Sequence, residues 1–189
     1  MSSWRDSIAL FFASVGGLGF VPFAPGTAGS VFPVLLAYWL RGHSKMWMVI
    51  AFGAACAVAF PSIQRVLDRL CEQQTRIGAV DHELERPMCC RKLIGRSLVD
   101  PSFIVIDEVI GQLLCLFIVS CYSNLFFKEI FVSFALFRVF DILKPWPIKF
   151  IERTLEQKPA FQALSIILDD ILAGLLGGGA AVALLKIIN

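Results

Sequence analysis

The sequence predicts an all-α integral membrane helical bundle, about five spans plus a short N-terminal interfacial helix, with its working face at the cytoplasmic surface. Three observations lead there. Hydrophobic residues make up 57% of the 189 residues, and the mean hydropathy of +0.74 is well above that of a soluble domain. The apolar residues fall in blocks rather than in an amphipathic pattern. Segments of this length can satisfy their backbone in lipid only as helices.

The blocks run over about 7–20, 28–40, 46–63, 103–122, 125–141 and 163–188. The start, MSSWRDSIALFFASVGG, has a weak charged region and no small-x-small cleavage site before a Pro/Gly motif, so it is expected to be retained. Most blocks fall short of the ~20 residues of a full span, which predicts tilt or local thinning. The last is long enough to tilt or project. Between 64 and 102 the character changes: this charged loop holds 7 of the 17 Lys and Arg residues. The positive-inside rule places it in the cytoplasm. Its first half can continue as a polar helix to about residue 77, and Pro87 then breaks any regular pattern. No repeat or low-complexity tract divides the chain, so residues 1–189 are expected to form one membrane domain with a charged cytoplasmic loop at about 64–102.

Threading from the loop sends 46–63 into the cytoplasm, 103–122 out, 125–141 back in and 163–188 out again. The 142–160 connection, with Lys144, Lys149, Arg153 and Lys158, is then also cytoplasmic. Asp107, Glu108, Asp141, Asp169, Asp170 and the 21–30 loop all arrive at one leaflet. The first block cannot then be a full span, and an interfacial or re-entrant helix is expected.

The carboxylates are the residues that most constrain function. An ionised carboxylate in a lipid-embedded helix costs roughly 2.5–3.5 kcal/mol even on insertion scales, so such residues face a metal, a partner charge or water. Asp107 and Glu108 are adjacent and point about 100° apart on a helix, so one can ligate a metal while the other meets a second ion, a water or a cation. The alternative is a structural acid paired with an arginine. Gly111 follows Asp107 by one turn and would leave room beside it. Asp169 and Asp170 form the second pair, and Gly174 with Gly178 after them has the spacing of close helix packing.

Two further motifs supply positive charge and a cradle. In FRVFDILKPWPI, Arg138 and Asp141 share a helix face, and Pro145 and Pro147 hold Lys144 near the surface with Trp146 at the interface. Arginine can fork onto a phosphate and lysine adds a point charge. The plainer account is an Arg138–Asp141 pair with Lys144 reaching to water. In GFVPFAPGTAGS, Thr27 or Ser30 can cap the following helix, and its amides, with Gly26 in the loop, suit a phosphate. A simple capped turn is the alternative.

Other residues carry less. Cys56, Cys115 and Cys121 lie in apolar segments as small hydrophobes, and no disulfide framework is expected. Cys89–Cys90 lacks zinc spacing. His82 is a candidate acid/base but is read as solvated, His43 falls on the opposite side, and Asp100 with Pro101 can cap the following span or add to the acidic cluster. A net charge of +2 and the lack of a basic stripe exclude a nucleic-acid binder.

Taken in order, GFVPFAPGTAGS, IDEVIGQ, FRVFDILKPWPI and DDILAG resemble the phosphatidylglycerophosphatase A family across residues 19–174. The resemblance implies an all-helical, Mg²⁺-dependent phosphatase of the bacterial cytoplasmic (inner) membrane. Such an enzyme converts phosphatidylglycerophosphate to phosphatidylglycerol, the last step of phosphatidylglycerol synthesis. It implicates Thr27, Asp107, Glu108, Arg138, Asp141, Lys144, Asp169 and Asp170. Asp107, Glu108, Asp169 and Asp170 would hold Mg²⁺, Arg138 and Lys144 would neutralise the phosphomonoester, and Gly26, Thr27 and Ser30 would cradle it. Asp141 would orient Arg138 or serve as base, and a covalent aspartyl-phosphate on Asp107 or Asp141 stays open. The loop at 64–102 is longer than in typical members. The expected partners are the phospholipid substrate and membrane lipid, with no nucleic acid and no obligate protein partner evident. The competing reading is an ion-coupled membrane transporter using the intramembrane carboxylates, which predicts acids near mid-bilayer and an inverted repeat. A CDP-alcohol phosphotransferase would need a DGxxAR…GxxxDxxxD pattern that is absent.

Overall fold

The structure is a computed structural model that describes residues 4–78, 102–146, 148 and 162–188. Six helices are found among the described residues: α1 Trp4–Ala13, α2 Pro25–Leu40, α3 Met46–Gly78, α4 Ile106–Tyr122, α5 Phe127–Leu143 and α6 Gln162–Ile188. A short 3-10 turn, Leu18–Phe20, precedes α2. The polar extension expected for the third block is present, since α3 continues to Gly78. His82, Cys89, Cys90, Asp100, Pro101, Lys149, Arg153 and Lys158 lie outside the described residues.

Two helices, Met46–Glu72 within α3 and Gln162–Ile188, are long and apolar enough to cross a membrane. Helices α2, α4 and α5, at 16, 17 and 17 residues, are shorter than the ~20 of an untilted span. Large apolar side chains nevertheless face outward from the bundle, among them Leu35, Trp39, Phe131 and Leu175. Water would penalise that surface, and lipid would not.

The bundle is built around α4, which packs against α6 most extensively and also touches α2, α3 and α5. Small residues set the closeness of the α4–α6 contact. A Cβ on Gly174 would collide with the backbone of Gly111, and one on Gly178 would press on Ile118. Gly179, the third of the run, touches nothing. Ile63, Ile104, Ile110, Ile166 and Ile167 fill the core near the α4 start, and Leu116, Val119, Ala181 and Leu185 fill the far end.

Helix α1 lies across the α3 side of the bundle, fixed by Asp6 to Arg65 and Arg69, both at 3.0 Å. Its exposed Trp4, Phe11 and Phe12 suit the interfacial placement expected for it. After α1 the chain turns through Val15, Gly16 and Gly17, all at positive φ. The turn is tied to the α4 lead-in by the Val105 amide donating to Ala13 O at 2.9 Å and by Phe20 stacked on Phe103. No side chain can fit on Gly19, which lies against the Phe103 carbonyl. These contacts fix where α2 begins relative to Asp107 and Glu108.

Cys56, Cys115 and Cys121 are free thiols as expected. Cys71, toward the polar end of α3, is instead disulfide-bonded.

Candidate active site

Helix α2 starts earlier than the apolar block suggests. Pro25 occupies its first turn and Ala24, in the left-handed region at φ 52°, precedes it without any side-chain cap. Proline suits that position because its missing N–H has no helical partner there anyway. Thr27 and Ser30 therefore lie inside the helix and do not cap it. The Ser30 hydroxyl donates back to Gly26 O at 2.8 Å, leaving the helix N-terminus open toward the carboxylates. Gly26 leaves room for both side chains at this point, because a Cβ would displace Glu108 Oε1 and come within 3.4 Å of Arg138 Nη1.

Three of the expected metal ligands converge. Carboxylate oxygens of Asp107, Glu108 and Asp170 all lie within 4.8 Å of one another, with Asp107 and Asp170 buried. The Gly111–Gly174 contact brings them together. Asp170 lies one turn before Gly174 and Asp107 one turn before Gly111, so this tight contact between α4 and α6 sits one turn from the two acids.

Asp169 does not join them. It points the other way round α6 and accepts from Lys144 Nζ at 2.5 Å. Lys144 reaches it from a left-handed residue (φ 40°) that caps α5, its amide bonded to Phe140 O, with Pro145 next. A non-glycine residue held in that region carries strain of order 1 kcal/mol or more, a cost seen where side-chain placement matters. Ala24 and Lys144, two of the three such residues among those described, border the site.

Arg138 and Asp141 form the expected i, i+3 pair at 2.5 Å. Arg138 Nη1 also donates to Ser30 Oγ at 3.3 Å, tying α5 to α2, while its buried Nε makes no hydrogen bond. Asp141 in turn lies beside Asp170, so Arg138, Asp141 and Asp170 run continuously into the acidic cluster. Gly26 and Ser30 of α2 thus lie beside Glu108 and Arg138, while Thr27 lies in the first turn of α2.

Five carboxylates (Asp107, Glu108, Asp141, Asp169, Asp170) face two cations, Arg138 and Lys144. The surplus of three negative charges in a largely buried setting is strongly unfavourable unless protons or metal ions offset it. An all-oxygen set with three carboxylates within reach of one ion matches a hard divalent cation such as Mg²⁺ better than zinc or copper.

One residue in the IDEVIGQ motif has no role that its sequence position alone reveals. Gln112 follows Glu108 by one turn, is completely buried, and neither its amide nitrogen nor its oxygen has a hydrogen-bond partner. A lone amide in an otherwise apolar helix stretch is the available signal, since such a group is costly to bury without a partner.

Residues 87–185, just over half of the chain, match the model of the phosphatidylglycerophosphatase A family. Among curated proteins the chain is 29% identical to "Phosphatidylglycerophosphatase A" of Haemophilus influenzae, over 84% of this chain and 77% of that protein. It is 31% identical to the "Putative phosphatidylinositol-3-phosphatase" of Bacteroides thetaiotaomicron, over 84% of this chain and 81% of the relative. With "Phosphatidylglycerophosphatase A" of Escherichia coli the identity is 26%, over 86% and 75% of the two chains. No solved structure matches the chain.

Proposed function

Because the chain belongs to the phosphatidylglycerophosphatase A family, and so is a phosphoric monoester hydrolase acting on lipid, we propose that its substrate is phosphatidylglycerophosphate. The products are phosphatidylglycerol and inorganic phosphate. The observation that carries this reading is the pairing of a three-carboxylate cluster with Arg138 and Lys144 beside an uncapped helix N-terminus. That combination accommodates a phosphomonoester and a divalent metal together. An ion-coupled transporter calls for acids near the middle of the bilayer, whereas here they gather at the start of α4 and the end of α5.

In the proposed mechanism the substrate phosphate lies against the first turn of α2, where amides and the helix dipole favour an anion. Arg138, with its unused Nε, and Lys144 neutralise the phosphate oxygens. Gly26, Thr27 and Ser30 shape the cradle, Ser30 by fixing the Arg138 guanidinium. Asp107, Glu108 and Asp170 would hold Mg²⁺, which when bound supplies Lewis-acid polarisation of the phosphoryl group. Asp169 holds Lys144 in place rather than ligating the metal. Asp141, between Arg138 and Asp170, accepts the proton of the attacking water as its oxygen bonds to phosphorus. The P–O bond to the glycerol breaks, and the same proton neutralises the leaving alkoxide.

The chain is further proposed to cross the bacterial inner membrane with about five tilted spans, its site toward the cytoplasm where the basic 64–102 loop is expected to stay. Substrate choice is tested by phosphate release from detergent-purified protein offered phosphatidylglycerophosphate, phosphatidylinositol 3-phosphate and glycerol 3-phosphate. The expected result is a kcat/KM roughly tenfold or more in favour of phosphatidylglycerophosphate, on the scale of discrimination a head-group pocket achieves. Preference for the inositol lipid, which the name of the Bacteroides relative favours, would reassign the head group. Equal rates on glycerol 3-phosphate would overturn the lipid substrate.

A further inference from the structure

We propose that the end of the bundle opposite the carboxylates holds an anion-binding site, which takes the headgroup of an acidic phospholipid in that leaflet. A half-open depression with a cavity volume of about 60 Å³ lies there between the α2–α3 and α4–α5 connections. Its polar lining includes Arg41, His43, Lys45, Ser120, Ser123 and Asn124.

Two of these side chains are held in place by aromatic partners. The Arg41 guanidinium lies 4.2 Å from the Tyr38 ring centroid, and His43 stacks on Trp39. Gly42, at φ 88°, lets the chain fold back between them. The Ser123 hydroxyl is buried and has no hydrogen-bond partner, although it lines a polar depression. It is a donor placed where a ligand acceptor would satisfy it.

The charge at this end points the same way. Arg41, Lys45, Lys128 and Lys186 gather there at helix ends, against one acid among the described residues, the buried Glu129. Helix dipoles account for half of this. Arg41 and Lys186 sit at the negative C-terminal ends of α2 and α6, where cations are favoured. Lys45 precedes the N-terminus of α3 and Lys128 lies in the first turn of α5, where the dipole disfavours a cation. An anion in the depression would meet Lys45 and the positive N-terminal end of α3 together.

A lipid suits the position better than a soluble anion does. Tyr38, Trp39, Trp47, Tyr122, Phe126 and Phe127 are all exposed around this end, the belt that amphipathic rings form at headgroup level. Basic side chains at that height attract acidic headgroups. The inference is independent of the catalytic reading, since no residue is shared.

The test uses the full chain in detergent and counts bound lipid by native mass spectrometry, with dioleoyl-phosphatidylglycerol and dioleoyl-phosphatidylcholine as probes. Arg41→Gln/Lys45→Gln is compared with Arg41→Lys/Lys45→Arg and with wild type. The expected result is phosphatidylglycerol binding weakened roughly tenfold in the glutamine pair, the loss expected for two basic groups near an acidic headgroup. The conservative pair keeps wild-type binding, and phosphatase rate is unchanged in both. Ser123→Ala, which removes the unpartnered donor without touching charge, should weaken binding by a smaller factor. Unchanged phosphatidylglycerol binding in the glutamine pair would overturn the site. Equal binding of phosphatidylcholine by wild type, or displacement of phosphatidylglycerol by equimolar inorganic phosphate, would overturn the acidic-lipid assignment.

Discussion

Gly174 of α6 lies directly on the backbone of Gly111 of α4, and this single contact sets Asp170 beside Asp107. Helix packing and site assembly are therefore the same event. In lipid there is no hydrophobic drive to hold two helices together, so close backbone approach through small residues does that work. The acids one turn away are carried into register by it.

The first prediction concerns that contact. In Gly111→Ala the new methyl would lie 2.5 Å from Asp170 O and 2.6 Å from the Phe137 ring, which forces α4 and α6 apart. Overpacking of this kind costs about 1–3 kcal/mol. Thermal unfolding in detergent should fall accordingly, and phosphate release should drop by more than the stability loss explains. Gly179→Ala, where nothing lies within 4 Å, should leave both unchanged.

Asp107→Asn and Asp170→Asn should each lower the rate at least ~100-fold while the protein still inserts, as loss of a ligand does in metal-ion catalysis. Steady-state phosphate release with matched membrane yields checks this. Near-wild-type turnover in both variants would remove the metal assignment.

Asp169 is where sequence and structure part. Its place in the DDILAG motif suggests a fourth metal ligand, but in the structure it is the partner of Lys144. Asp169→Asn should therefore lower kcat and leave the Mg²⁺ concentration for half-maximal rate within roughly threefold of wild type. Asp170→Asn should raise it by roughly tenfold or more. Magnesium titrations of the two variants, run side by side, decide it.

Arg138→Lys keeps the charge but loses the planar guanidinium that binds Ser30 and Asp141 and would also fork onto a phosphate oxygen. Lysine is a poor substitute at such a position. The expected loss is at least roughly tenfold in kcat/KM, with Ser30→Ala showing a smaller defect through the same guanidinium.

Much of this is legible in the sequence because membrane chains are strongly constrained. The apolar blocks give the helices, and carboxylates inside them are so costly in lipid that they mark a site. Which acids cluster is not legible. Asp169 and Asp170 are neighbours in the sequence, but consecutive helical residues diverge by about 100°, and only the position of Lys144 settles which one turns away. The start of α2 is equally hidden. Pro25 at its first turn moves Thr27 and Ser30 inside the helix, so Ser30 serves Arg138 rather than a cap. Gln112 stays silent because a single amide in an apolar run carries no spacing pattern.

The most direct test of the central claim is phosphate release from phosphatidylglycerophosphate by detergent-purified protein, with Mg²⁺, with excess EDTA, and with Mg²⁺ restored after EDTA. The account predicts release with Mg²⁺, loss with EDTA and recovery on restoration, all absent in Asp170→Asn. Release that persists undiminished in EDTA, or folded protein with no release in Mg²⁺, would contradict it.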